Sequence, residues 1–457
     1  MSLSFNLDEQ LHYFHQELKS YPSLSYRKSR LQKLGKFLED HEEVLIKAVQ
    51  ADLGRPEAEV FWGELAPIHQ EIKLCLSELP RWMKPQAKPR KWLSPVHWDA
   101  KVETLYQPRG LSLIIGPWNY PIQLVLLPLV NSIAAGNLNT LKPSEYAPAC
   151  AELLEKKLPE YFSSSELKIV NGPASLGAEL VQKNFDVIFF TGGSAIAKDI
   201  MKLAAHRLPQ FIFELGGKCP VILDDQIENL DVALRRIVWG KMLNAGQTCV
   251  SPDFLWVAQH QLDSIKSKII QIFNQDFSDP ESYARIVNSR HFERLKNVLD
   301  QSEVLWAGPI EEKKLKMGLH ILSAKSEDAP AMKEEIFGPL LPILTYDSKE
   351  EVFNQLAKMQ KPLAVYYFGE DQSFFDRLKT RTQSGALLRN DVVVHLSHDQ
   401  LPFGGIGESG SRAYHGFYGF EAFSHLKAIE SRSLKLDFNW RYSGNLKKMP
   451  RFFRRFL

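Results

Sequence analysis

The chain has 457 residues, of which 44% are apolar and 24% charged, with a formal net charge of +2. That length exceeds the roughly 250–300 residues at which one hydrophobic core stops growing, so two or more domains are expected. The composition excludes a disordered or collagen-like chain, and the small net charge favours neither nucleic acid nor an acidic partner.

The opening MSLSFNLDEQLHYF carries acidic residues where a secretory signal needs a basic start and an unbroken apolar stretch, so export is not expected. From Leu31 to Leu53 apolar residues recur near helical spacing (Leu31, Leu34, Leu38, Leu45, Ala48), and Gly54 with Pro56 punctuates the end. This predicts a helical N-terminal region. Between Arg81 and Pro95, three prolines and five basic residues predict a solvated surface connection. Trp82 and Trp92 among those charges are also the pattern of a nucleic-acid stacking platform, the weaker of the two readings. The most apolar window, Ile122 to Val130, contains Gln123 and Pro128 and is about half the ~20 residues of a membrane span, so no transmembrane helix is predicted.

Short strand-like runs then alternate with helical stretches: LSLIIG (111–116), NTLKPS (139–144), LKIVNG (167–172), DVIFFTGG (186–193) and FIFELGG (211–217). Such alternation predicts an α/β fold with a parallel sheet wound on both faces. Ligands in these sheets bind beyond the carboxyl ends of the strands, where the runs finish in Gly, Pro or Ser. A second α/β series follows, with VLWAGPI (304–310), LPILTYD (341–347) and LAVYYFG (363–369). The four cysteines, Cys75, Cys150, Cys219 and Cys249, form no CxxC pair. That argues against a disulfide framework and a cysteine metal site, and fits a reducing, cytoplasmic setting.

Two polar segments lie close together, FELGGKCP (213–220) and NAGQTCVSPDF (244–254). A cysteine in a Gly/Gln/Thr-rich turn is a candidate nucleophile, because thiolate attack needs an accessible sulfur and nearby amide donors. Alone, Cys249 reads more readily as a small buried hydrophobe. In IIGPWNYP (114–121), Asn119 follows a strand in a Pro-bounded turn, where its amide either aims at a ligand as an oxyanion donor or forms an Asx turn. Glu214 ends an apolar run before Gly216 and Gly217. A carboxylate there can activate water if its surroundings raise its pKa toward neutrality; otherwise it is a solvated strand end. The GGIGESG run (404–410) imitates a dinucleotide fingerprint but comes too late in the chain to open a βαβ unit.

PWNYP, LKPSE, FFTGGS, FELGGK, GQTC, EEIFGP and LPFGGIGESG occur in the order and approximate spacing of the aldehyde dehydrogenase superfamily, from about residue 100 to 420, and the chain resembles that superfamily. The short N-terminus, WGKMLNAGQTCVSPDF, NDVVVH and SHLK resemble the class 3 branch, which includes fatty-aldehyde and coniferyl-aldehyde enzymes. The resemblance implies NAD-dependent oxidation of an aldehyde to a carboxylic acid through a cysteine thiohemiacetal and thioester. NADP is the alternative coenzyme, disfavoured by Glu145 but tolerated by relatives in this branch. By match, Cys249 is the nucleophile, Glu214 the general base and Asn119 the oxyanion-hole amide. Lys142 and Glu145 match residues at the adenosine ribose, and Thr191, Gly192, Gly193 and Ser194 the pyrophosphate loop. Glu335 and Phe337 match the pair at the nicotinamide ribose and ring, and GGIGESG a loop lining the substrate side. One departure is Ala197, where a glycine often closes the pyrophosphate loop.

The implied architecture is a parallel-sheet Rossmann-like coenzyme domain over 1–212, with 94–107 in an oligomerisation sheet, and an α/β catalytic domain over 213–388. Residues 389–457 return to the coenzyme domain and supply an oligomerisation strand and a tail. A homodimer is expected, with KVETLYQ (101–107) extending a sheet. The tail NLKKMPRFFRRFL (445–457) alternates basic and aromatic residues, the pattern of an interfacial membrane helix; packing on the protein's own surface is favoured for so short a segment. Two rival readings are an acylating relative that passes the thioester to coenzyme A and a catalytically silent protein of this fold. Glu214 disfavours the first, and the joint presence of Cys249, Glu214 and Asn119 the second.

Overall fold

The computed structural model describes residues 22–89, 98–326, 328–437 and 442; the basic-aromatic tail and Trp92 lie outside them. The N-terminal helix spans Leu24–Leu53, beginning at Ser23, whose side chain accepts from the Tyr26 N–H, and ending at Gly54 in the left-handed region (φ 61°). It starts earlier than its apolar pattern because Arg27 and Arg30 are buried too: Arg27 Nη1 donates to the Ala134 carbonyl (2.8 Å) and Arg30 Nη1 to that of Asn137 (2.7 Å). Ala134 lies in the last turn of the apolar helix Gln123–Ala135 and Asn137 just beyond its Gly136 cap, where cations complement the end carbonyls and the helix dipole.

The helix Ala66–Trp82 runs on through Pro80, so the expected solvated connection does not begin at Arg81. Trp82 is 2% exposed and packs its ring on Phe417 and Phe420. The apolar face that covers it comes from residues more than 300 positions away, a contact invisible to local charge pattern. Gln86–Ala87 then form a short edge strand.

Six strands build the first sheet in the order Gly410–Ser411, Gln210–Leu215, Val187–Gly192, Leu111–Ile115, Leu138–Lys142, Leu167–Ile169. All pair in parallel except Gly410–Ser411. Every residue of Leu111–Ile115 and Leu138–Lys142 is buried, as a sheet covered on both faces requires. Side chains alternate between two cores: Ile114, Leu141, Phe189 and Ile212 pack with the helical N-terminal region, and Leu113, Ile115, Ile188 and Phe190 with the helices Ala174–Leu180 and Ser194–Ala204. The order reverses on either side of Leu111–Ile115, which opens a crevice at the carboxyl ends of that strand and Val187–Gly192.

A seven-stranded sheet follows, ordered Glu303–Trp306, His320–Ser323, Leu340–Tyr346, Phe254–Ala258, Pro220–Leu223, Ala364–Phe368, Ala386–Arg389, with only Glu303–Trp306 antiparallel. The run expected as one strand over 304–310 splits, since Ile310–Glu311 pairs with Lys316–Met317 in a separate ribbon. The last sheet joins Lys101–Pro108 to Ser424–Ser431 over eight antiparallel residue pairs, with Gln86–Ala87 on the far side of Lys101–Pro108.

Asn137, wholly buried, ties these parts together. Its Oδ1 accepts from the N–H groups of Arg109 (2.8 Å) and Gly110 (3.0 Å), and its Nδ2 donates to the Phe423 carbonyl (3.0 Å). Asn137→Ala leaves these groups unpaired and is expected to lower stability by about 2–3 kcal/mol, read as a lower urea midpoint at unchanged slope.

Candidate active site

The helix Leu230–Met242 leads into three successive left-handed residues, Asn244 (φ 50°), Ala245 (φ 52°) and Gly246 (φ 74°). For a residue with a Cβ this conformation costs about 1–2 kcal/mol, and a mesh of buried bonds holds it. Asn244 Nδ2 donates to the carbonyls of Asn119 (2.8 Å) and Gln247 (3.2 Å), while Gln247 Nε2 donates to those of Asn244 and Arg285 (both 3.0 Å). Gly246 is required on space as well: a Cβ there would stand 2.3 Å from the Gly338 carbonyl oxygen.

This turn delivers Cys249, alone among the four cysteines in being partly exposed. The Cys219 thiol, from the other polar segment, donates to the Cys249 carbonyl (3.4 Å). Asn119, beyond the end of Leu111–Ile115, is 3% exposed and donates from Nδ2 to the Gln247 carbonyl (3.0 Å). That bond uses one amide hydrogen and fixes the direction of the second. Glu214, on the strand Gln210–Leu215, is 1% exposed and neither of its carboxyl oxygens has a hydrogen-bond partner. Burial pushes its pKa up to about 8, and the facing Cys249 thiol pulls it only partly back. Cys249 is itself pushed well above the usual thiol range, first by burial and then by Glu214. A thiol and a carboxyl facing each other can exchange a proton directly.

Cys249 and Thr248 lie at one end of a cavity of about 410 Å³ walled by Trp62, Tyr120, Leu124, Trp239, Phe403 and Tyr414. Trp62 stacks on Trp239 with ring centroids 5.9 Å apart. None of these walls was singled out from sequence. Tyr120 and Trp239 sat inside quoted motifs, whereas Trp62 reaches the cavity only because Phe61–Leu65 is a π-helical turn, for which local sequence carries no signal.

A second opening lies at the crevice. About 280 Å³ is lined by Ile115, Lys142, Glu145, Thr191, Gly192 and Gly193, and about 580 Å³ by Gly193, Ser194, Gly216, Lys218, Glu335 and Glu408 among others. The two spaces meet at Gly193, which precedes the eleven-residue helix Ser194–Ala204 and has nothing within 4 Å of where a Cβ would be. Lys142 Nζ donates to Glu145 (2.8 Å), and the buried Thr191 hydroxyl has no partner. Ala197 is 2% exposed and its methyl belongs to the core beneath the helix, away from the cleft. The Glu335 carboxyl rests so closely on Gly216 that a Cβ there would lie 2.1 Å from it, and burial raises its pKa to about 8. Phe337 is left-handed (φ 48°) and meets Trp118 edge-on at 5.4 Å.

The GGIGESG loop differs from expectation. Because Gly410–Ser411 pairs antiparallel with Gln210–Leu215, Gly410 opposite Glu214, the loop turns Glu408 and Ser409 into the larger cleft beside Glu335. Its flanks, Phe403 and Tyr414, wall the apolar cavity instead. Among the described residues no cluster of three or more His, Cys, Asp or Glu is arranged to hold a metal ion, and no helix is long and apolar enough to cross a membrane.

The family model described as "Aldehyde dehydrogenase family" matches residues 16–429. The chain is 39% identical over 426 residues to aldehyde dehydrogenase family 3 member H1 of Arabidopsis thaliana, covering 91% of this chain and 87% of that protein. It is 36% identical over 440 residues to the dimeric NADP-preferring aldehyde dehydrogenase of Rattus norvegicus, covering 94% and 95%. Among solved structures, the substrate-bound Staphylococcus aureus AldH superposes with a TM-score of 0.92 at 33% identity over 98% of both chains. With a parallel crevice, an enclosed cysteine and these matches over nearly its whole length, the chain belongs to the aldehyde dehydrogenase family.

Proposed function

We propose that this enzyme oxidises a largely apolar aldehyde to its carboxylic acid with a nicotinamide dinucleotide, using Cys249 as nucleophile, Glu214 as general base and Asn119 as oxyanion donor. The observation that carries the reading is the position of the Cys249 sulfur, on the wall of an apolar cavity and facing the buried Glu214 carboxyl.

Cys249 passes its proton to Glu214 as the sulfur bonds to the aldehyde carbon. The oxygen gains charge and is held by the free N–H of the Asn119 amide and the Cys249 backbone N–H, aimed dipoles that need no reorganisation. The bound coenzyme supplies a two-electron acceptor for the hydrogen leaving that carbon, so a thioester remains on Cys249. Glu214 releases that proton to solvent, then takes a proton from water as the water oxygen bonds to the thioester carbon; the C–S bond breaks, the acid departs and the Cys249 sulfur is regenerated.

The crevice fits a dinucleotide: two spaces joined over a helix N-terminus, an open Gly193, an unpartnered Thr191 hydroxyl and the Lys142–Glu145 pair at one end. Thr191, Gly192, Gly193 and Ser194 would cradle the pyrophosphate, Lys142 and Glu145 the adenosine ribose, and Glu335 with Phe337 the nicotinamide end. Glu145 shares its charge with Lys142, which weakens its repulsion of a 2′-phosphate. NAD with NADP tolerated is therefore the assignment. The proposed division is a coenzyme unit over 1–212, a catalytic unit over 213–388 and a returning segment over 389–457, supported by the parallel strands of the first sheet lying within Leu111–Leu215 and those of the second within Pro220–Arg389. The outer edge of Ser424–Ser431, with Leu426 exposed, is the proposed homodimer contact, and four free thiols support a reducing, cytoplasmic setting.

Cys249→Ala is expected to abolish reduced-coenzyme formation. In Glu214→Gln both the single-turnover burst in stopped-flow absorbance and steady turnover should fall by about a hundredfold or more, since glutamine accepts neither the thiol's proton nor water's. Acyl-CoA formed on adding coenzyme A at an undiminished rate in that variant would favour the acylating reading, and no absorbance change with any short, long or aromatic aldehyde the silent one. Since burial holds the Glu214 carboxyl near 8 and its basic form is the deprotonated one, thioester hydrolysis should rise with pH across that value. The limb should vanish in Glu214→Gln. The apolar cavity predicts that benzaldehyde or hexanal exceeds acetaldehyde in kcat/KM by about tenfold or more, at ~0.8 kcal/mol per buried methylene. Ala197→Gly, which alters a core methyl outside the cleft, should change coenzyme affinity by less than about tenfold in titration calorimetry.

A further inference from the structure

Arg55 follows the N-terminal helix and is 1% exposed, far from the surface a guanidinium ordinarily seeks. Its Nε donates to Glu59 Oε1 (2.9 Å) and its Nη1 to Glu64 Oε1 (2.8 Å), with Nη2 reaching the Glu59 carbonyl (3.3 Å). A buried charge among carboxylates is weak evidence of stabilisation, because desolvation offsets attraction. The partners of those carboxylates give the arrangement another meaning. Glu59 Oε1 also accepts from the Asn244 N–H (2.9 Å), at the first left-handed residue of the nucleophile turn. Glu64 Oε2 accepts from the N–H groups of Ile122 (3.2 Å) and Gln123 (2.7 Å), directly after the Asn119–Tyr120 segment.

A second route leaves the same guanidinium. Its central carbon lies 4.4 Å from the centroid of the Tyr120 ring, a desolvated cation–π contact. The Tyr120 hydroxyl bonds the Thr248 hydroxyl (2.9 Å), next to Cys249. The π-helical turn Phe61–Leu65 makes room for this stack, since a Cβ on Gly63 would stand 2.7 Å from Arg55 Nη2 and 3.5 Å from the Tyr120 ring. Gly63 and Tyr120 also wall the apolar cavity, so the guanidinium lies just behind that wall.

We infer that Arg55 is a positioning residue for the nucleophile: one buried guanidinium, locked by Glu59 and Glu64, fixes Tyr120 against Thr248 and the backbone of Asn244, and so sets the direction from which Cys249 meets the carbonyl. The inference rests on Cys249 being the nucleophile. Lysine keeps the charge but loses the planar fork that grips two carboxylates and stacks on a ring, so Arg55→Lys separates position from charge.

The full-length enzyme with NAD and benzaldehyde is compared as wild type, Arg55→Lys, Tyr120→Phe and the double variant, each normalised to folded protein. Arg55→Lys should lower kcat by about tenfold or more, the scale of a sub-ångström to ångström misplacement, and slow Cys249 alkylation by iodoacetamide, while KM for NAD stays within about twofold. Tyr120→Phe should give a smaller loss of the same kind, and the double variant should be no worse than Arg55→Lys, because both lie on one path. Equal kcat and alkylation per folded molecule with only a lowered melting temperature would overturn the inference, as would full additivity in the double variant. If Arg55→Lys does not fold, Tyr120→Phe decides: wild-type kcat and alkylation overturn it, and a parallel loss of both supports it. Failure of the underlying reading looks different, since Cys249→Ala would then keep its turnover whatever the Arg55 variants do.

Discussion

The geometry of the site depends on a backbone that local energetics oppose. Asn244, Ala245 and Gly246 are all left-handed, and only the glycine adopts that region freely. Surrounding bonds over-determine the turn: Asn244 and Gln247 bridge it internally, Asn119 closes it from beyond the end of Leu111–Ile115, and Arg285 and Val287, in the segment before the helix Ser289–Asp300, bind the Gln247 side chain. Strain held in this way concentrates at functional sites. Here it turns Cys249 out of the core while its neighbours remain buried.

Two opposite environments converge on that sulfur. Aromatic walls line the cavity beside Cys249, while the buried Glu214 carboxyl faces the thiol from the first sheet. Burial raises the pKa of both groups, so under the proposed mechanism the neighbouring carboxyl is the first acceptor for the thiol's proton.

Much of the candidate site was legible because the proposed chemistry calls for particular residue types in short motifs. GQTC, ELGGK and PWNYP lie on three different elements, yet Cys249, Glu214 and Asn119 converge around one turn. The strands were legible for the same reason, being runs of buried apolar residues bounded by Gly and Pro. What escaped was set by distant contact. Trp82 read as a solvated linker residue because Phe417 and Phe420, which cover it, belong to the far end of the chain. The Glu408–Ser409 loop lines the larger cleft rather than the apolar cavity because its direction follows from antiparallel pairing with Gln210–Leu215, a tertiary choice. Trp62 gave no sign because a π turn shifts the helical phase by a single residue.

Closure of the first half of the molecule has a temporal side. Lys101–Pro108 finds its main partner in Ser424–Ser431, Asn137 its acceptor at Phe423, 286 residues on, and Tyr106 its carboxylate at Glu421, 315 residues on. During synthesis the early parallel strands can collapse, but their flank stays open until Ser424–Ser431 has been made. At about 5–20 residues per second that interval lasts tens of seconds, during which Lys101–Pro108 presents an unpaired edge to any neighbouring nascent chain. Lys101, Glu103, Thr104 and Gln107 stand among its exposed and half-buried positions, polar and charged groups of the kind that discourage edge-to-edge pairing.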